Sequence, residues 1–250
     1  MSQLNILAIA FVYNEIQFIE HKINWANEYN INLYIIDNIS TDGTWEVLQE
    51  HKVPSHQFDT NGVFHLTNLQ AELLKTIHQL KPDWVIYHGA DTFYFTPQGL
   101  RNDIELAELE GFDGLIVDFF DIRNTGETYT KDLNLYEVYQ YGIDMNQKRK
   151  SIFKYKKDLE VYGDNFNPKF CKIISGGILL NYGMTKPAAQ RENTLKRRES
   201  AWEQGLNRRF GSHYLRAQAS NWCWDKSQLI HIKDTPWAYT LDNMINYGKE

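Results

Sequence analysis

Cysteine is nearly absent: Cys171 and Cys223 are the only two in 250 residues. Two are too few for a disulfide scaffold and are not at metal-ligand spacing, which points to a reducing compartment. Positive charge is also short. With 26 Lys and Arg against 32 Asp and Glu the chain carries a net charge of −6, whereas a general nucleic-acid binder needs a cationic field to displace counterions from phosphate. Long apolar runs are missing too; the longest are strand-sized, so nothing reads as a membrane span or a signal peptide. The expected setting is the cytoplasm, free or peripheral to a membrane, with no transmembrane segment and no general nucleic-acid binding. Finally, the turn after the first apolar run lacks glycine. That removes the Gly-rich fingerprint of a dinucleotide-binding Rossmann domain, and with it the case for NAD or a typical methyltransferase.

What is present is an ordinary globular composition, 42% hydrophobic and 23% charged, enough for one sizeable core. Aromatic residues make up 14%, with 7 Trp and 15 Tyr, side chains that fill cores and also stack on sugars and bases. Leu4 to Val12 reads as a buried strand. Asn14 with Gln17 suits a capping box, followed by a helix carrying Ile16, Ile19, Ile23 and Ala26, then a strand from Leu33 to Asp37. A short helix from Thr44 to Gln49 and another from Asn68 to Leu80, with Leu73, Ile77 and Leu80 on one face, lead to a Trp84 to His88 strand. Thr96-Pro97 reads as an N-cap and first helical position, ahead of an apolar stripe of Leu100, Ile104 and Ala107 that Gly111 stops. Gly114 to Phe120 is the next strand. Residues 125–167 break the alternation and read as meandering strands and loops. Cys171 to Asn181 reads as a strand interrupted at Gly176-Gly177, and Pro187 to Arg209 as a charged amphipathic helix. The expected fold class is α/β, a mostly parallel sheet with helices on both faces, in one domain over residues 1–250.

The most informative stretch is Tyr34 to Thr44, YIIDNISTDGT, where a buried strand passes into a loop of oxygen-bearing side chains. In open α/β sheets ligands lie outside the carboxyl ends of strands, so a carboxylate there followed by hydroxyls suits a ribose, a base edge or a sugar. The plainer alternative is a βα turn with Asp42 or Thr41 as helix N-cap. DNISTDGT resembles the DNGSTDGT-type segment of family 2 glycosyltransferases. Two further stretches agree: AFVYNEIQFIEHKINWA with its Asn14-Glu15 pair, and DWVIYHGADTFYF, which is similar to the strand that ends in the family's Asp-x-Asp metal motif. Here that motif is Gly89-Ala90-Asp91, so the first carboxylate is missing.

The resemblance implies a GT-A fold and transfer of a sugar from a nucleotide sugar, UDP-linked, to an acceptor hydroxyl on a glycan, a lipid-linked carrier or a small molecule. It implies a donor half over 1–122, with the nucleotide gripped by Val12, Asn14, Glu15, Asp37, Asn38, Ser40 and Asp42 and the diphosphate near Gly89, Ala90 and Asp91. An acceptor half would follow over 123–250. It further implies a Mn2+ or Mg2+ ion on Asp91, helped by His231, His213 or His88. An inverting transfer needs a general base; Asp121 is the first choice, at the rim of the GLIVDFFDI strand, and Asp118 the second. Each of these residues also has a structural reading: a strand-end ion pair for the aspartates, a packed or surface ring for the histidines. The basic run Lys148 to Lys157 is a solvated face or a clamp for an anionic group, and Trp202, Trp222, Trp224 and Trp237 are core packing or sugar-stacking surfaces. Two alternatives stand beside transfer: a degenerate binding module of the same fold, motivated by Gly89, and a sugar nucleotidyltransferase, whose Gly-rich basic loop is not in this sequence.

Overall fold

The structure is a computed structural model describing residues 3–128, 134–162, 165–166, 168–206 and 223–239. Its elements in order are β1 (Ile6–Val12), α1 (Ile16–Glu28), β2 (Asn32–Asp37), α2 (Thr44–Glu50), β3 (Ser55–Gln57), α3 (Leu66–Leu80), β4 (Trp84–Tyr87), β5 (Thr92–Phe95) and α4 (Leu100–Leu109). There follow β6 (Gly114–Arg123), α5 (Leu135–Val138), β7 (Tyr141–Lys154), β8 (Val161–Tyr162), β9 (Asn165–Phe166), β10 (Cys171–Met184), α6 (Ala188–Glu203) and β11 (Ile230–His231). The main sheet runs β3-β2-β1-β4-β7-β6-β10-β5, with β11 added beside β7. Strands β1 to β4 are mutually parallel, as are β6 and β10. Strand β7 runs against both β4 and β6, and β5 runs against β10. The α/β class and the mixed, mostly parallel sheet are as expected.

Strand β1 shows why the sheet is covered on both sides. Its side chains alternate across the pleat: Ile6, Ala8, Ala10 and Val12 pack with Phe18, Ile19 and Ile23 of α1 and Leu100 and Ile104 of α4. Leu7 and Ile9 pack with Leu73 and Ile77 of α3. A strand buried on both faces must be apolar throughout, which is what LNILAIAFV showed.

Several details differ from the sequence reading. No capping box forms, because Asn14 lies at φ 55 and the helix begins after Glu15, which makes no side-chain cap bond. Ile16 and Leu80 are each 42% exposed, off the buried stripes they were expected to join. Helix α4 is capped by Gly99 at φ 85, not by Thr96, whose carbonyl instead closes a turn onto the Gly99 amide. Helix α6 starts after Pro187 and ends at Glu203; the expected end at Arg209 lies outside the described residues. Strands β3, β5 and β11 were not expected, and β7 falls in the 125–167 stretch read as meandering strands and loops. Strand β7 alternates poorly because its middle, Asn146 to Lys148, is exposed while Ser151 to Phe153 is buried. The Gly176-Gly177 interruption is a register shift in β10, with Gly176 at φ 77.

Candidate active site

The parallel strands β1 and β2 end together, Val12 being paired with Asp37, and β4 ends a little earlier, its Tyr87 paired with Ile9. The loops leaving these ends form the crevice where open α/β sheets bind ligands. A separate cavity of about 420 Å³ opens at the amino ends, against Asn5, Asn32 and Pro82. The crevice is the stronger candidate, because it holds the buried charge.

Much of the YIIDNISTDGT loop is scaffolding. Asp42 Oδ1 accepts from the Thr44 amide and hydroxyl at 3.0 and 2.6 Å, and its Oδ2 accepts from the Ile16 amide at 3.1 Å. One carboxylate thus serves the N-termini of α1 and α2, where the helix dipole favours negative charge. The Asn14 amide donates to Ser40 Oγ at 2.9 Å, and Asn14 Oδ1 accepts from the Thr41 amide at 2.8 Å. The Val12 carbonyl accepts from the Asn38 amide. Asn38 is spent as well: its Nδ2 donates to the Phe58 carbonyl at 2.6 Å, and its Oδ1 accepts from Thr60 and from Arg197 of α6. Val12, Asn14, Asn38, Ser40 and Asp42 therefore line the crevice by holding its loops in register.

Asp37 is different. Fully buried, it accepts on Oδ2 from the Ser40 amide at 3.0 Å and from Gln57 Nε2 at 3.2 Å, while its Oδ1 has no hydrogen-bond partner among the described residues. A buried carboxylate oxygen without a donor is costly, and a ligand donor would relieve it.

The second centre is the turn between β4 and β5. Asp91 Oδ2 lies 2.8 Å from Lys186 Nζ, and the same ammonium lies 2.6 Å from Glu15 Oε1. Burial pushes the Glu15 carboxyl up to about 8 despite the pull of Lys186. Burial works on Asp91 in the same sense, but the charge and hydrogen bond of Lys186, with smaller help from His88 and a backbone amide, together outweigh it and hold Asp91 below the usual range. Beneath the turn a second lysine, Lys22 of α1, is buried with its ammonium donating to the Thr92 carbonyl at 2.8 Å and 4.2 Å from the Trp25 ring centroid. Burial lowers it to about 7. His88 is also lowered by burial, to about 3, and its Nδ1 accepts from the Gly89 amide at 3.1 Å, so the ring is neutral. Ala90 is buried against the core.

Strand β10 ties this turn to the third centre. The Tyr182 amide donates to the Asp91 carbonyl, and Asn181 Nδ2 donates to Asp121 Oδ1 at 3.0 Å. Asp121 also pairs with Arg123 at 2.6 Å. Strand β6 continues to Arg123, so Asp121 sits inside the strand and 7% exposed, not at its rim as expected. Burial raises it to about 6, against Arg123 and aided by the Asp91 charge. Asp118 is not part of this cluster; it pairs with exposed Lys148 across the β6–β7 ladder.

The expected metal set is not assembled. Asp91 Oδ2 faces an ammonium, and His231 has both ring nitrogens engaged, Nε2 with Gln140 Oε1 at 2.9 Å and Nδ1 with the Lys233 amide at 3.0 Å. His213 lies outside the described residues. No cluster of three or more His, Cys, Asp or Glu suited to a metal occurs among the described residues, whereas Mg2+ or Mn2+ wants several oxygen ligands. The residues present do not fit a divalent ion. The basic run is mostly a paired face of the sheet: Lys148 with Asp118, Lys154 with Glu108, Lys156 with Asp113, and Arg149 stacked 4.1 Å from Phe119. Of the tryptophans, Trp237 packs on Phe120 in the core, Trp202 is exposed, and Trp224 stacks 4.9 Å from Arg123; Trp222 lies outside the described residues.

Reading the sequence missed Lys186, Lys22, Arg123, Arg191 and Arg197. Lys186 meets Glu15 across 171 positions, a pairing no local pattern reveals, although a Lys-Pro corner after a long apolar strand was visible.

No curated protein sequence matches the chain. Among solved structures, that of S. aureus TarS is similar at 12% identity, covering 76% of this chain and 38% of the other, with a TM-score of 0.48. TarS 1-349 in complex with UDP gives 13%, 88%, 70% and 0.47, and its complex with UDP-GlcNAc gives 11%, 98%, 81% and 0.46. This chain thus spans well under half the length of the longer TarS structure. The family model described as Glycosyl transferase family 2 matches residues 8–178, more than half of the chain and the part that carries Asn14, Asp37, Asp91 and Asp121. By that match the chain is an enzyme belonging to glycosyl transferase family 2.

Proposed function

We propose that this protein moves a sugar from a nucleoside-diphosphate sugar, UDP-linked, to an acceptor hydroxyl with inversion at the anomeric carbon. The observation that carries the reading is the idle Asp37 Oδ1, buried at the end of β2. It suits a ribose hydroxyl or a base N–H, and in this reading the donor's diphosphate is met by Asp91 and Lys186. Residues 1–122 contribute Asp37 and Asp91; the acceptor enters past Asp121 and the Arg123–Trp224 stack.

In this reading the acceptor oxygen attacks the anomeric carbon, Asp121 takes the hydroxyl proton, and the nucleoside diphosphate leaves with the electron pair of the broken bond. A carboxyl near 6 is ionised at neutral pH and still basic enough to accept that proton. Both Asp121 oxygens are held by neighbours, which aims the carboxylate, and each retains a lone pair.

The test is a thermal-shift and donor-hydrolysis panel of nucleotide sugars with UDP and its sugars first. A melting shift and slow nucleotide release with one donor class are expected. Binding without any turnover across acceptors would favour a degenerate binding module, and no shift with any nucleotide would overturn the reading.

A further inference from the structure

The turn between β4 and β5 carries one carboxylate, Asp91, and that one is already faced by a cation. Lys186, Glu15 and Asp91 have side chains only 12, 11 and 17% exposed. An ammonium at that depth costs several kcal/mol unless closely paired. The pairing is built in from both sides of Asp91: a Cβ at position 89 would lie 2.6 Å from Oδ1, and one at position 183 would lie 3.1 Å from Oδ2. Gly89 and Gly183 therefore leave the carboxylate a fitted slot. A second carboxylate at position 89 would displace the first.

Five residues beyond Lys186, in the first turn of α6, Arg191 is 5% exposed, and its Nε and Nη1 have no hydrogen-bond partner among the described residues. Burial and then the nearby Arg123 charge both work against its charged form, and Arg123 Nε is itself buried with no partner among the described residues. Buried guanidinium donors left idle beside a like charge call for an anion. We propose that Lys186 and Arg191, both on the corner between β10 and α6, supply the charge for the donor's diphosphate in place of a divalent cation, so that nucleoside diphosphates bind without metal. The two side chains bring the same double positive charge that a Mg2+ or Mn2+ ion would. Lys186 is compact and shared with Asp91, while Arg191 offers the open fork. The inference rests on reading the crevice as the donor site.

Isothermal titration of UDP and of uridine into the full chain, each in EDTA and in Mn2+, tests it. UDP affinity is expected to agree within about twofold between the two conditions. Lys186→Met and Arg191→Gln should each weaken UDP at least tenfold, leave uridine unchanged, and gain nothing from Mn2+. Arg191→Gln removes a cation that pairs with no carboxylate among the described residues, so the comparison stands even if Lys186→Met fails to fold. A tenfold or greater loss of UDP affinity in EDTA overturns the inference and leaves the donor reading intact, as does equal weakening of uridine by Arg191→Gln. Failure of the unmodified protein to bind any nucleoside diphosphate in either condition refutes the donor reading itself, and the inference with it.

Discussion

Gly89 lies outside the left-handed region, so its glycine is required by space and not by backbone angle. In Gly89→Ala the new methyl carbon would stand 2.6 Å from Asp91 Oδ1, where ordinary contact begins at 3.4 Å. The carboxylate must retreat by roughly 1 Å. Its other oxygen is held by Lys186 at 2.8 Å, so it either turns off its rotamer, at about 0.5 to 1.5 kcal/mol, or releases a charge-assisted hydrogen bond worth about 1.5 to 3 kcal/mol. The cheaper route sets the cost, and restricting the unfolded chain returns about 0.4 to 1 kcal/mol. The net is small, between about −0.5 and +1 kcal/mol of destabilisation, so Tm should move by no more than about 2 to 4 °C for a domain of this size and donor affinity is the sharper readout. Donor affinity should fall by about tenfold if the Asp91–Lys186 geometry carries the diphosphate. A double-mutant cycle isolates the collision: in an Asp91→Ala background the added methyl has nothing to meet, so Gly89→Ala should cost little further. Equal costs in the two backgrounds, or an unchanged UDP affinity in the single variant, would refute the steric account.

Asp37→Ala removes the idle oxygen and should weaken UDP by about 1 to 3 kcal/mol, read by titration; unchanged affinity for UDP and uridine would take Asp37 out of the site. If Asp121 is the base, transfer should rise with pH through about 6 as it ionises, and Asp121→Asn should lose about 100- to 10,000-fold in kcat with donor affinity kept; a retained rising limb in that variant moves the role elsewhere. Glu15 has a folded value near 8, above its ordinary 4.5. The native state therefore holds a proton that the unfolded chain gives up, and stability should fall as pH rises from about 5 to 8. Glu15→Gln should flatten that limb in denaturant titrations at several pH values, and an unaltered slope would assign it to another group.

The β/α alternation was legible because each parallel strand is buried on both faces and each covering helix on one. It failed where burial is uneven. Strand β7 is central in the sheet yet half exposed along its length, and β5 is only four residues, too short for any period to register. The helix starts were misjudged for another reason. Asn14 and Thr96 are good caps locally, but Asp42 reaches across from the next loop to serve α1, and Gly99 adopts φ 85 to start α4. A tertiary hydrogen bond overrides the local capping preference at α1, and a local turn ending in a positive-φ glycine overrides it at α4.

The site shows the same division. A carboxylate near the end of an apolar strand is a local signal, and it drew attention to Asp37 and Asp121, which are buried, and to Asp91, which is paired with Lys186. Local signals could not separate the working groups in DNISTDGT from its scaffold, because Ser40 and Asp42 have the chemistry of ligand contacts and spend it on backbone amides. Ile39 sharpens the point. It stands where the resembling segment has glycine, and it keeps a left-handed φ of 58 with its side chain 39% exposed. A β-branched residue there costs roughly 1 to 2 kcal/mol, so the loop's shape is imposed by the Asp37–Ser40 and Asn14–Thr41 bonds around it and not by its own preference. Ile39→Gly should therefore keep the loop and release strain, offset by about 0.4 to 1 kcal/mol of added freedom in the unfolded chain. A Tm unchanged or slightly raised, with UDP affinity within about threefold of the parent, is the expected result. A clear loss of affinity would instead show that the Ile39 side chain itself touches the nucleotide.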